Sequence, residues 1–302
     1  MSGVISVRGL VKRYGTKTVV DRLDLEVPQG AVYAFLGDNG AGKTSTIKVL
    51  VGMHPPDRGS ARILGQDCWA RAVPLRHRVG YVPERPRFYE WMTVTEIGWF
   101  TAAFHRNGFL ETYLDSVHRL GLDAKKRLRD LSKGGYARVA LALALAPDPE
   151  VLILDEPTSG LDLLTRRDFL ASLVDLAAHG RTILISSHGI AELERIASHV
   201  GLLSHGKLLF SGPVDDLKRR FTRIQLRAVG AEPELGGLGT ILVRQELGRQ
   251  VDLLIQDPTP GAADRLRAQS GLAEVEEASP GLEDIYAAVM RHAAATGPGV
   301  PT

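Results

Sequence analysis

Cysteine is nearly missing from this chain, with Cys68 the only one in 302 residues. One thiol can neither close an internal disulfide nor build a cysteine zinc site, which agrees with a reducing compartment. A small packed side chain is role enough for it. An excess of one charge is missing too: 37 Lys and Arg face 35 Asp and Glu, a net charge of +2. With no long basic run, no nucleic acid partner is expected. The longest apolar run, "VALALALA" at 139–146, falls well short of the roughly 20 residues a membrane helix needs. The start, "MSGVISVRGLVKRYG", carries charges early and lacks an apolar core of signal length, so neither export nor anchoring is expected and the chain reads as cytosolic. If a membrane is involved, another polypeptide crosses it. Internal repeats and coiled-coil heptads are not seen either.

What is present is enough hydrophobic content, 44%, to bury a real core in one large domain plus a small one, or in two modest ones. The first two-thirds alternate β-branched runs with helical patterns, as in an α/β domain. Strands are expected at "AVYAFLG" (31–37), "RVGYVP" (78–83), "VLILD" (151–155) and "TILISS" (182–187). Such near-continuous apolar runs suit parallel strands covered on both faces. Between the second and third lies a helical stretch, about 88–148, broken by "RNG" at 106–108. "ALALALA" alternates as a strand would, yet Ala and Leu are strong helix formers and Pro147 supplies a stop, so the spacing predicts a helix. After residue 220 the texture changes to two strands, "RIQLRAVG" and "RQVDLLIQD", a helix "GAADRLRAQSG", a strand "LAEVEEAS" and a final helix "GLEDIYAAVMRHAA". Expected domains are therefore 1–220, a small α/β domain at 221–293, and a loose tail at 294–302.

"GDNGAGKTS" follows one of these strands directly and precedes the helical "STIKVLVG". This is GxxxxGK[ST] in the strand, loop, helix context the motif requires. Over Gly37, Asp38, Asn39, Gly40, Ala41 and Gly42 the backbone can turn its N–H groups onto phosphate oxygens. Lys43 would reach the terminal phosphates, the Thr44 hydroxyl can hold Mg²⁺, and Ser45 continues into the helix whose N-terminus adds positive potential. A second element, "VLILDEP", ends an apolar strand in two carboxylates. Asp155 would coordinate Mg²⁺ directly or through water, and Glu156 could polarise an attacking water. Adjacent acids at such a position are costly unless a cation or hydrogen bonds satisfy them.

With "LSKGGYAR" (131–138), "SGLD" (159–162) and "SSH" (186–188), these segments resemble, in order and spacing, the ATP-binding subunits of ABC transporters over roughly residues 3–220. The resemblance implies a P-loop ABC ATPase domain with a mixed sheet core and a helical insert, followed by the small C-terminal α/β domain. It also implies ATP and Mg²⁺ as cofactors and a head-to-tail dimer, homomeric or heteromeric, that sandwiches two nucleotides. "LSKGGYAR" would be the signature segment facing the partner's ATP. Ser132 is a good N-cap for a helix from about Lys133 to Ala146, and Ser132 with the backbone at Gly134 would carry the phosphate contacts. The usual form is LSGGQ, and Lys133 and Gly135 depart from it. Tyr14 matches the adenine-stacking aromatic, or is simply packing. His188 resembles the switch histidine that contacts the γ-phosphate. Asp162 resembles the acid linking the two sites, or is a local cap. Glu84 stands where glutamine is usual. It would ligate Mg²⁺ or order water, or be a solvated loop acid, and some export-type members carry glutamate there.

The resemblance implies an ATPase subunit of an exporter, paired with separately encoded membrane permease subunits and held on the cytoplasmic face of the membrane. Two alternatives stay open. One is a weakly active, regulatory half of a heterodimer. The other is a soluble ABC-type ATPase, which would normally carry a second ATPase domain or long coiled coils.

Overall fold

The structure, a computed structural model, describes residues 3–105, 108–229 and 233–296. Its contacts divide the chain into two compact units, which meet between Ser211 and Gly212.

The first unit contains two sheets. Strands β1 (Ile5–Tyr14) and β2 (Lys17–Val27) form a hairpin, and β4 (Arg58–Ile63) and β5 (Gln66–Asp67) extend it into an antiparallel sheet of order β2-β1-β4-β5. None of these strands is among those expected from the sequence. Alternation along β1 and β2 is interrupted by register shifts between Val7 and Arg13, which blurs the period-2 signal that marks a half-buried strand.

The second sheet runs β10-β9-β3-β8-β7-β6, with β3 (Val32–Gly37), β6 (Val79–Val82), β7 (Val151–Asp155), β8 (Thr182–Ser187), β9 (His199–Ser204) and β10 (Lys207–Pro213). β6, β7, β8, β3 and β9 are mutually parallel. Every residue of β3, β7 and β8 is buried, so these strands show no alternation and read as continuous apolar runs. Helix α1 (Lys43–Leu50) lies between the sheets, touching β2 and β4 on one side and β3 and β7 on the other. Ile47 and Leu50 join a core shared with Leu25, Phe35 and Ile153.

A short helix α2 (Ala72–Leu75) precedes β6. Between β6 and β7 come α3 (Val94–Ala102), α4 (Phe109–Arg119) and α5 (Lys133–Leu145), which share a core of their own around Ile97, Tyr113, Val117 and Val139. α5 contains the "ALALALA" segment and is helical. Thr93 caps α3 through a reciprocal bond with Glu96. Gly108 of the "RNG" break caps α4 at φ 93°, while Arg106 and Asn107 lie outside the described residues. α6 (Leu163–Ala178) follows β7, and α7 (Ile190–Leu193) follows β8.

The second unit begins nine residues earlier than the expected boundary at 220, because α8 (Val214–Arg219) packs on the first strand of this unit. Its sheet is β12-β13-β11-β14, all antiparallel, with β11 (Phe221–Ala228), β12 (Thr240–Leu247), β13 (Gln250–Gln256) and β14 (Leu272–Ala278). β12 was not foreseen; it is an edge strand with no fully buried residue. Helix α9 (Ala262–Arg267) packs on β14, and α10 (Leu282–Thr296) contacts β12. Residues 294–296 of the expected tail are the end of α10, since Ala continues the helix. The remainder, 297–302, lies outside the described residues.

Candidate functional site: a phosphate cleft and a neighbouring cavity

Four neighbouring parallel strands bring the candidate residues to one edge of the second sheet. β3 ends in the glycine loop, β7 in Asp155 and Glu156, β8 in Ser186 to His188, and β6 in the loop of Glu84. Carboxyl ends of parallel strands are where such sheets take ligands. A cleft of about 490 Å³ opens there, lined by the loop from Asp38 to Ser45 together with Glu84, Glu156 and His188.

The loop has the backbone its motif requires. Gly42, the N-cap of α1, sits at φ 112°, and a Cβ there would lie 2.8 Å from the Val19 carbonyl oxygen. Any side chain would collide with backbone. No side chain caps α1, and its first turn holds no acid, so its N–H groups remain available to an anion. Lys43 is buried, with Nζ donating to the Gly37 carbonyl and, at 3.4 Å, to that of Asp38. It also lies 3.2 Å from Glu156 Oε1.

Asp155 is 1% exposed. Its Oδ1 accepts from Thr44 Oγ1 at 3.2 Å and from Ser186 Oγ at 2.7 Å. Burial pushes its carboxyl above the ordinary range, against those two hydrogen bonds, and the charges of Glu156 and Glu84 add to the rise. The same field acts on Tyr81, whose hydroxyl is pushed up to about 12, first by burial and then by Asp155 and Glu84. Glu156, with φ 47°, turns the other way from Asp155. Its Oε2 meets His188 Nδ1 at 2.8 Å, while its buried Oε1 has no hydrogen-bond partner among the described residues beyond the charge of Lys43. Three carboxylates near one lysine favour an added cation. Thr44, Asp155 and Glu84 offer only oxygen donors, as a hard divalent ion prefers. No cluster of three or more His, Cys, Asp or Glu suited to a metal occurs among the described residues.

Ser132, Gly134, Asp162 and Tyr14 do not line this cleft. Ser132 is exposed and caps α5, its Oγ accepting from Gly135 N at 3.1 Å. It lines a different cavity of about 540 Å³, with Lys133, Tyr136 and Gly160. Gly134 is buried against α6, where a Cβ would come 2.3 Å from Thr165 Cγ2. Asp162 caps α6, accepting from Thr165 N at 3.0 Å and Thr165 Oγ1 at 2.6 Å. These bonds, the hydroxyl's foremost, hold its carboxyl below the usual range. Tyr14, 43% exposed, stands edge-on to His54 at 5.9 Å. Glu84 lines both cavities and lies 3.5 Å from Arg85.

Residues 20–159 match the ABC transporter family. The bacitracin transport ATP-binding protein BcrA of Bacillus licheniformis is 38% identical over 224 residues, 73% of this chain and 73% of that protein. A Nod factor export ATP-binding protein I of Cupriavidus pinatubonensis is 32% identical over 298 residues, 95% of this chain and 90% of that protein. This chain belongs to the ABC transporter ATP-binding subunits.

Among solved structures, an ATP-binding subunit of an ABC transporter superposes with a TM-score of 0.65 at 28% identity, covering 72% of this chain and 92% of that one. A nucleotide-free ATP-binding cassette, also at 0.65 but 22% identical, shares the fold. As an ABC ATPase the chain binds ATP and hydrolyses it, and the cleft at the end of β3 is where its phosphate loop lies. Two features of this ABC subunit emerge only from the fold. Ser186, whose one signal in the sequence is a hydroxyl at the end of the apolar run before His188, is fully buried against Asp155 and Glu156. The exposed aromatics Tyr89, Trp91, Trp99, Phe100 and Phe104 were not singled out as a group. They come from a loop and a helix that only folding brings together.

Proposed function

We propose that the subunit binds ATP with Mg²⁺ in the β3 cleft, closes on a second ATPase subunit, and drives export through separately encoded permease subunits from the cytoplasmic face of the membrane. The observation that carries the dimer is the separation of the two halves. The phosphate loop, Glu84 and Glu156 line one cleft, while Ser132 lines a different cavity of the same chain and Asp162 lines neither. A γ-phosphate held by Lys43 would meet Ser132 and the Gly134 backbone of another copy.

In the cleft, the γ-phosphate would draw Lys43 from the Gly37 and Asp38 carbonyls, replacing neutral acceptors by charged oxygens. Thr44, Asp155 and Glu84 would hold Mg²⁺, which supplies charge neutralisation across the phosphates. Glu156, with Oε1 lacking a hydrogen bond, would accept a proton from water, and His188 on Oε2 would keep the carboxylate oriented. Tyr14, exposed at the end of β1, would serve as the adenine platform.

An exposed aromatic cluster supports a membrane partner, and the names of the relatives support an export role. No helix among the described residues is long and apolar enough to cross a membrane. Beside the Glu84 loop, Tyr89, Phe100 and Phe104 form an exposed ladder, with ring centroids 5.4 and 5.6 Å apart, and Trp91 lies 6.1 Å from Tyr89. Exposed aromatic clusters of this kind mark protein interfaces. Transport and export are the roles named in the relatives BcrA and the Nod factor export protein.

The test is the solution mass of Glu156→Gln protein with and without ATP and Mg²⁺. Doubling on addition supports a self-sufficient motor. A monomer that nonetheless binds ATP shows that the signature requires a different chain, as in a heterodimer.

A further inference from the structure

We propose that Ser186 is a positioning residue for ATP hydrolysis: its hydroxyl fixes Asp155 and Glu156 in their two separate orientations. This rests on the reading of Glu156 as the water-activating carboxylate.

The two acids are consecutive but must do different work. Asp155, the last residue of β7, is paired in register with Ser186 of β8. Glu156 leaves the strand in the left-handed region at φ 47°, a conformation that disfavours residues with a Cβ by about 1–2 kcal/mol. Something must hold it. The Glu156 amide donates to the Ser186 carbonyl at 3.1 Å and to Ser186 Oγ at 3.0 Å. An amide can only donate, so Oγ accepts there, and its single proton goes to Asp155 Oδ1 at 2.7 Å. One hydroxyl therefore grips the side chain of the first acid and the backbone of the second.

The grip is dry, since Ser186 is 0% exposed and water has little access to replace it. Loss of the hydroxyl leaves Asp155 Oδ1 with only the longer bond from Thr44, 3.2 Å. Glu156 would keep one backbone bond and lose the other. Its carboxylate, set between Lys43 and His188, would then sample more directions. Ser187 does a different task next door, its Oγ accepting from Gly189 N at 2.9 Å and shaping the loop that presents His188.

Ser186→Thr and Ser186→Val separate the hydroxyl from bulk, because the two replacements have the same shape and only Thr keeps the oxygen. Turnover, KM for ATP, equilibrium binding of a fluorescent ATP analogue across a Mg²⁺ titration, and melting temperature would be measured for both. Ser186→Ala and Ser186→Cys form a second pair should the larger side chains prevent folding. The expected result is a kcat about tenfold or more lower for Val than for Thr. KM and analogue binding at saturating Mg²⁺ should agree within about threefold, with more Mg²⁺ needed for half-maximal binding by Val. Equal kcat for Thr and Val, or a loss matched by equal losses in binding and melting, would overturn the role. Failure of the wild-type protein to bind or hydrolyse ATP would instead defeat the functional reading itself.

Discussion

The starts of α1 and α5 are built differently. At α1 a glycine at φ 112° caps without a side chain, the first residue is the buried Lys43, and Asp38, Glu84 and Glu156 line the cleft with it. At α5 Ser132 uses its own oxygen to cap the helix, and the first residue, Lys133, is exposed. The first half is preassembled within one chain and packed so tightly that its glycine admits no Cβ. The second presents a finished helix end outward, in a cavity that it shares with Glu84 but not with Lys43 or Glu156. Burial marks the α1 start, exposure the α5 start.

Turnover should break the comparison most sharply. Glu156→Gln should lower hydrolysis by about 10²- to 10⁴-fold while ATP binding measured by calorimetry survives. Near-normal turnover would remove Glu156 from its place. Lys43→Ala should weaken nucleotide binding itself by about 10- to 100-fold, the loss of a charge-assisted contact, and unchanged affinity would defeat the α1 half. On the α5 side the effects move from binding to packing and assembly. Gly134→Ala drives a methyl group into Thr165, 2.3 Å away, and should cost about 1–3 kcal/mol in a denaturant titration, with nucleotide affinity of the monomer intact. Ser132→Ala should cost about 1 kcal/mol through the lost cap and suppress ATP-driven dimerisation in the Glu156→Gln background; monomer binding that fell with it would erase the distinction between the halves.

Acid gives the smallest effect. Asp162 is held below the ordinary carboxyl range by Thr165. Its cap is therefore fully present above the unfolded value of about 3.9 and weakens only as pH falls through the lower folded value. Between pH 5 and 8 the α6 start should not change through this group, and a carboxyl-resolved NMR titration placing Asp162 above the ordinary value would contradict its capping geometry.

Legibility followed exposure and period. β3, β7 and β8 were readable because full burial made them unbroken apolar runs, and the loop at Gly37 to Ser45 because glycine, lysine and threonine each serve a backbone or phosphate need that few other residues meet. The first sheet was not readable, since register shifts in β1 scramble its alternation, and β12 was missed because an exposed edge strand carries no burial pattern. The dual character of Asp162 could not be decided from a turn motif; the structure shows it fully engaged as a cap. Gly134 has a packing reason that spacing alone conceals, because α6 approaches it from 31 residues further along the chain.

By itself, then, the sequence determined the chemical inventory: a phosphate loop, two consecutive acids, a capped signature helix and a histidine after a strand, all of them local patterns set by backbone and side-chain chemistry within a few residues. Which of these share a cleft was decided only by tertiary structure. Strand order β3-β8-β7-β6 brings Lys43, Asp155, Ser186 and Glu84 to one edge although up to 143 residues separate them, while Ser132 lines a different cavity. Hydrogen-bonded neighbours in a parallel sheet are chosen by long-range pairing and burial, and no local pattern in the chain records that choice.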